Sequence, residues 1–401
     1  RITFIDPMAK QHMNFFKGRY DNLFSLVRHR YIDANNCEKD ELYPVSTADW
    51  EDPVANPEFK YSHICSNGNN LLDIEIEFIE GSLEMDRIRD YLTYISNSNC
   101  DYKLASKNGV QDVGADNISK VRNCQWVDTS EFTLAICHSD MSESAAGALY
   151  MPIDVYDKAN QIWVYQRESA DIILNLMYAN NTDCRYNKLR PFGMIYGGYV
   201  DDDDNTTEAI LVNAVYNLVN LNNLDKREKR DMMLKFKTDW DDLMMVNKFS
   251  NYYFVDSIPQ KIRAVGSIES IKDVKYLNAL ARMEHNRWVA QELILGFSPC
   301  SEDVTKELEA AVVALTPKLR ALDNIKTTFS EAEYKARKSE IMSDWKIIRN
   351  RHRDGISHMH PCICAFEFID NVDVEAKRYD ATLNSAIPDI LRWADELSNL
   401  H

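Results

Sequence analysis

The sequence predicts an α/β domain with a mostly parallel sheet, followed by a mainly helical domain. Three observations predict it. Short β-branched and aromatic runs (ITFI at 2–5, LDIEIEFI at 72–79, FTLAIC at 132–137, QIWVY at 161–165) are each followed by a segment of helical character, the rhythm of βαβ units. FTLAIC is almost continuously apolar, which suits a strand buried on both faces of a parallel sheet. Beyond residue 207 the strand-like runs give way to apolar residues recurring every three or four positions.

In order, strand 2–5 ends in Asp6-Pro7, and 8–19 has helical character. A carboxylate at a strand tip can accept from ribose hydroxyls, while Asp-Pro is also a good helix opening, so Asp6 has two readings. Residues 33–70, rich in Asn, Asp, Pro and Ser, read as an irregular insertion. Strand 72–79 turns through Glu80-Gly81-Ser82 into helix 83–95, and a polar loop runs to Asn123. His138-Ser139-Asp140 ends strand 132–137, and a helix starting at Ser142 or Ser144 reaches Tyr150. Strand 161–165, helix 169–178 and a short last strand at 190–195 complete this half.

Asp201 to Asp204 lack the alternating ligand spacing of a calcium loop and read as a solvated loop. Thr207 is placed to cap an apolar helix at 208–221. A charged linker (226–230) precedes helices at 232–245 and 249–265, expected to bridge two domains. In helix 275–297 the stripe is Leu277, Leu280, Ala281, Trp288 and Leu295, with Gly296 at the stop. Glu284, Arg287, Trp288 and Gln291 share a face there. Residues 302–351 are a charged, helix-prone excursion in which Pro317 breaks or starts a helix.

EHNRW (284–288) with ELILGF (292–297), then HPCICAFEFI (360–369), then KRYDATLNSAIPDIL (377–391), resembles the ryanodine-receptor-type (RyR) domain of bacterial proteins; a Ser-Asn-aromatic helix precedes the first block as in that family. The resemblance implies a ligand among adenine or NAD-derived nucleotides, ADP-ribose-like, with Glu284, His285, Arg287, Trp288 and His360 as ligand-binding residues. The chemistry suits it: Trp288 can stack, Arg287 offers a planar fork to phosphate, and Glu284 can accept from ribose hydroxyls. The competing structural reading pairs Glu284 with Arg287 across one turn and buries Trp288.

The first half resembles the later portion of the Rossmann-type domains of TrkA-like potassium-transport proteins, through FIDP, EFIEGS and LAICHSD at successive strand ends. This implies NAD as a cofactor, with Asp6, Ser82 and Ser139 at the binding edge. The GxGxxG turn of the family's first strand is missing, so the best pyrophosphate site is absent from this sequence. The expected domains are a Rossmann-like 1–200, a helical bridge 201–270, and an RyR-like 271–401 with its insertion at 302–351.

Sixty-three acidic against 46 basic residues give a net charge of −17, which repels phosphate backbones and anionic membranes, and no basic run suits nucleic acid. No apolar window is long enough to span a bilayer and no signal peptide is present. Nine scattered cysteines without a CxxC pair suit a reduced, cytoplasmic protein. His352, His358, His360, Cys362 and Cys364 fit no common zinc spacing, and Cys362 and Cys364 read as alternating on a strand. No metal is expected. No GxSxG, HExxH or Walker motif points to catalysis. The chain opens on Arg1 directly into a strand and reads as part of something longer. The expectation is a non-catalytic nucleotide sensor, a homo-oligomer with no membrane contact of its own, relaying to an upstream effector or membrane part, by analogy in phage defence. A nucleotide-using enzyme and an acidic interaction scaffold are the alternatives.

Overall fold

A computed structural model describes residues 2–42, 50–56, 59, 61–64, 74–96, 103–106, 109–112, 132–137, 141–166, 173, 184–193, 203–217, 219, 221, 226–352 and 358–398. It is a mixed α/β plus α fold in two compact units. One holds Arg1–Arg19, Arg28–Asp52 and Ile74–Asp201; the other holds Tyr20–Val27, Pro53–Asp73 and Asp202–His401.

In the first unit, β1 (Ile2–Asp6), β2 (Arg28–Asp33) and β3 (Glu75–Glu80) run parallel in the order β1-β3-β2. Alternation along β3 sends Phe78 to one face, where it stacks on Phe4 with centroids 5.0 Å apart, beneath Phe16 of α1 (Ala9–Arg19). The opposite face carries Glu75 and Glu77, and it is not wet: they are 1 % and 0 % exposed. The register sets Arg28 beside Glu75 and Arg30 beside Glu77. Arg28 Nη2 lies 3.3 Å from Glu75 Oε1, and Arg30 binds Glu77 through both Nε and Nη2. Thr3 Oγ1 (3.0 Å) and the hydroxyl of Tyr91 (2.9 Å) also donate to Glu77; Tyr91 belongs to α2 (Asp86–Ser96). Helices thus cover both faces of this small sheet.

The hairpin β4 (Lys103–Ser106) and β5 (Gly109–Asp112) precedes a second parallel sheet, β6 (Phe132–Ile136), β7 (Ala159–Tyr165) and β8 (Leu189–Phe192), in the order β6-β7-β8. Between β6 and β7 lie α3 (Met141–Leu149) and α4 (Ile153–Lys158). Gly193, just after β8, has φ +85°, and a Cβ there would come within 2.5 Å of the Tyr165 ring. The sheets share one core of Ile79, Ile88, Ile136, Val155, Ile162 and Leu189. Where one doubly wound sheet was expected, the described residues form two three-stranded ones.

The second unit is helical: α5 (Asp203–Tyr216), α6 (Lys226–Asp241), α7 (Met245–Asp256), α8 (Ile258–Val265), α9 (Val274–Ile294), α10 (Glu302–Asn324), α11 (Glu331–Ile341), α12 (Ser343–Arg351) and α13 (Ala376–Ser398). Ile210, Phe236, Phe254, Ile258, Leu280, Ile387 and Trp393 pack together, so the helices read as a bridge share a core with α9 and α13. Two-residue strands β9 (Ser298–Pro299) and β10 (Met359–His360) pair parallel. Two earlier segments of the chain belong here: Asn22 Nδ2 donates to the Gly296 carbonyl at 2.8 Å, and Ala365 N donates to the His63 carbonyl at 3.1 Å. Gly296 takes φ +91°, the left-handed stop the sequence announces.

Several local expectations are corrected. The expected 249–265 helix is two, α7 and α8, because Pro259 suits a first turn and not an interior. The 226–230 linker is the start of α6, and Thr207 lies inside α5, whose first residue is Asp203. Pro317 stays inside α10, since Leu308, Val312, Leu315 and Leu322 bury one face and outweigh the roughly 3 kcal/mol an interior proline costs. Cys362 and Cys364 sit in a turn after β10, both buried, not on a strand. Leu295 is 43 % exposed and leaves the stripe. The 169–178 helix lies, apart from residue 173, outside the described residues. No described helix is long and apolar enough to cross a membrane.

Removing one partner of a buried ion pair strands the other charge. Arg30→Met is expected to lower unfolding stability by about 3 kcal/mol in urea titration, with Glu77→Gln less damaging because it keeps an acceptor for Thr3 and Tyr91.

Candidate functional site

The sequence IPQKIRAV makes α8 amphipathic, with Ile258, Lys261 and Val265 on its buried face. A lysine thus lies in an apolar stripe, 1 % exposed. On α9 the buried positions Leu280, Ala281, Glu284, His285, Val289, Gln291 and Leu293 likewise admit a charge among apolar groups. The two charges meet: Lys261 Nζ donates to Glu284 Oε2 at 2.7 Å, and its ammonium lies 3.7 Å from the centre of the Phe254 ring. Arg287 grips the same carboxylate from one turn on, through Nε at 3.1 Å to both oxygens and Nη2 at 2.7 Å to Oε1. Its Nη1 donates to Gln291 Oε1 at 2.9 Å. Of the three charged groups, Arg287 alone reaches solvent appreciably, its side chain 18 % exposed against 1 % for Lys261 and 4 % for Glu284.

Burial alone would raise the Glu284 carboxyl, but Lys261 and Arg287 outweigh it and hold it below the usual carboxylate range. α13 packs along α9 and brings Asp380 into the same field. Burial first, then the negative charge of Glu284, push the Asp380 carboxyl up to about 8, against the pull of Lys261 and Arg287. One turn on, Asn384 is fully buried; its amide nitrogen donates to the Asp380 carbonyl at 2.8 Å, and its Oδ1 accepts no hydrogen bond.

His285 faces elsewhere. Its Nε2 donates to the Cys364 carbonyl at 2.7 Å, tying α9 to the turn after β10, and burial pulls its pKa down to about 4. Trp288 is half-buried; its ring and that of His360 pack edge to face with centroids 4.7 Å apart, and the His285 ring centroid lies 6.2 Å away. His360 is buried, its Nδ1 accepting from Cys362 N at 3.1 Å. The five α9 and β10 residues therefore split into two groups, Glu284 with Arg287 on one side, and His285, Trp288 and His360 in an aromatic cluster. The Cys362 thiol donates to Asp373 Oδ2 (3.5 Å), which also accepts from Arg349 Nε (2.6 Å); burial raises both the Cys362 and Cys364 thiols. Among the described residues no group of three or more His, Cys, Asp or Glu is placed to hold a metal ion.

In the first unit Asp6 accepts from Met8 N at 2.7 Å and so opens α1, while its carboxylate stays 43 % exposed at the end of β1. Ser82 Oγ donates to Glu84 Oε2 at 2.9 Å. Ser139 lies outside the described residues. A groove of about 760 Å³ runs along α10, lined by Glu309, Val312, Thr316, Pro317, Arg320 and Asp370, among others; none of the ligand residues expected from the sequence lines it.

No family model, curated protein or solved structure matches this chain. The site must therefore be read from its own residues. Sequence reasoning missed Lys261 as the partner of Glu284. Its signal was present: Lys261 lies three residues after Ile258 and four before Val265, on the apolar stripe of a short helix.

Two pH dependences follow. His285 has a folded pKa of about 4 against an ordinary 6.5, so the stability it contributes is complete above 6.5 and is lost as pH falls towards 4. A shift of that size corresponds to about 3 kcal/mol. His285→Gln should flatten the fall in urea midpoint between pH 7 and pH 4.5. Asp380 has the opposite sign: its contribution is complete below the ordinary 3.8 and lost as pH rises through about 8. Asp380→Asn should therefore be more stable than the parent at pH 8, by roughly 2–5 kcal/mol, and nearly equal to it at pH 4.

Proposed function

We propose that the chain is a non-catalytic sensor that binds an adenine or NAD-derived nucleotide, ADP-ribose-like, beside Arg287 and Trp288 in an RyR-type domain. One observation carries the reading. Two basic groups, Lys261 and Arg287, meet one buried carboxylate, Glu284. Arg287, the most exposed of the three charged groups, is the sequence neighbour of the half-buried Trp288 on α9. A phosphate meeting a guanidinium there gains a charge-assisted hydrogen bond, and a base or ribose can lie against the indole. Networks with perturbed titration cluster at functional sites, which supports the reading by association. The sequence blocks from EHNRW to KRYDATLNSAIPDIL support the RyR identity in the same way. For the first unit we propose a Rossmann-like, TrkA-type origin, supported by parallel sheets, helices on both faces of β1-β3-β2, and Asp6 at the end of β1. The sensor's output goes to an upstream effector or membrane part, in a cytoplasmic setting.

A ligand shifts such a protein only through its preference for one arrangement over another, so binding must appear as stabilisation. Titrating NAD, ADP-ribose and cyclic ADP-ribose in thermal melts should give a saturable rise for at least one, about 2.7 kcal/mol at a hundredfold excess over Kd. No nucleotide product should appear by chromatography. Arg287→Lys and Trp288→Ala should each weaken the shift at least tenfold in apparent affinity. Turnover would replace the sensor by an enzyme. No stabilisation by any of the three, or undiminished stabilisation in both variants, would remove the binding site from this place.

A further inference from the structure

α10 buries one face through Leu308, Val312, Leu315 and Leu322 and turns another outward. That outward face, with residues 370 and 371 beside it, forms the groove of about 760 Å³. Val313 and Pro317 lie at its middle, and Val313 is 72 % exposed. Pro317 has a consequence for the backbone there. It carries no N–H, so the carbonyl four residues back, that of Val313, loses its helical donor. The adjoining hydroxyl does not replace that donor, because Thr316 Oγ1 donates to the Val312 carbonyl at 2.8 Å. The groove therefore has at its centre a main-chain acceptor that the helical pattern leaves open.

Its two ends carry opposite charges. Glu309 lies at one end, where its carboxylate accepts a single long hydrogen bond, 3.5 Å from Asn371 Nδ2. Asp370, the other carboxylate there, is already paired with Lys377 at 2.6 Å. Arg320 lies towards the far end. Among the described residues neither Glu309 nor Arg320 has an ion-pair partner. The two are eleven residues apart, close to three full turns, so they share one side of α10 at a separation of about 16 Å. About five residues of extended chain, at roughly 3.3 Å each, cover that distance. An extended chain also brings main-chain N–H groups without partners, which a helix interior does not, and one of these suits the Val313 carbonyl. The side chains of Val313 and Pro317 give such a chain an apolar floor between the two charges.

We propose that the α10 groove binds an extended peptide, with a cationic side chain set on Glu309 and a carboxylate about five residues away set on Arg320. This site is independent of the nucleotide reading and would stand if that reading fell. Isothermal titration of the whole chain with acetyl-Lys-Val-Ala-Val-Ala-Glu-amide should give saturable one-to-one binding. The same peptide N-methylated at its central residues, or its isomer acetyl-Lys-Glu-Val-Ala-Val-Ala-amide with the charges adjacent, should bind roughly tenfold more weakly or worse. Glu309→Arg and Arg320→Glu should each weaken binding roughly tenfold. The double variant should recover the parent's affinity, because it exchanges the two ends and an extended chain can lie in either direction. Pro317→Ala returns an N–H to the Val313 carbonyl, so it should raise the thermal midpoint and weaken the peptide together. Absence of saturable binding, binding indifferent to both single charge reversals, or a double variant that does not recover overturns the proposal. So does a parent chain that doubles its mass in light scattering and loses the dimer in Arg320→Glu, since the occupant would then be a second copy.

Discussion

The helical unit depends on one carboxylate. Glu284 lies in the interior of α9, where an unpaired charge would cost several kcal/mol, and two cations from different positions answer it. Lys261 comes from α8 and Arg287 from one turn along α9 itself. Such a pair adds little net stability over well-packed apolar groups, yet breaking it is expensive. Its effect is therefore to fix relative position: α8 can dock on α9 in the one register that brings Lys261 to Glu284. The first unit uses the same device in a sheet. Arg28 and Arg30 meet Glu75 and Glu77 across β2 and β3, so a slip of one residue would turn both charged sets to the wrong face.

These buried charges are also where the sequence was hardest to read. Period-two alternation placed β3, β-branched and aromatic runs placed β1 and β7, and the spacing of apolar residues placed α9 with its glycine stop; the apolar run of β6 marked a strand but not burial on both faces, since Thr133, Ala135 and Cys137 are exposed. RHRYID, by contrast, does not look like a sheet strand, since half of it is charged. It becomes β2 only because β3 offers carboxylates at matching positions, and that pairing is information about a distant segment. Lys261 escaped notice for the same reason. Proline misled in the other direction: Pro259 separates α7 from α8, while Pro317 rides inside α10, and the difference lies in the apolar face each helix must bury. At Asp6 the local alternative prevailed in geometry, a cap on Met8 N, without removing the carboxylate from the strand end.

The division of the EHNRW block has a chemical consequence. Burial pulls the His285 pKa down to about 4, and its Nε2 donates to the Cys364 carbonyl, so it ties α9 to the turn after β10. Trp288 meets His360 in an edge-to-face contact. Arg287 is different. Among the described residues its hydrogen bonds go to the side chains of its own helix, Glu284 and Gln291.

Under the proposed nucleotide reading, that asymmetry would link binding to packing. A phosphate engaging Arg287 would compete with Glu284 for the same guanidinium. To the extent that it wins, Glu284 must rely on Lys261, and the α8–α9 contact carries more of the carboxylate's charge. Asp380 would respond as well, because Glu284 and Arg287 act on its protonation in opposite directions. An anion at the rim would thus be felt on α8, α9 and α13 together, and coupling of this kind is reciprocal: whatever tightens those helices would also alter the affinity for the anion. The buried pair, costly to break and of little net value to stability, is the element of the fold best suited to carry such a signal.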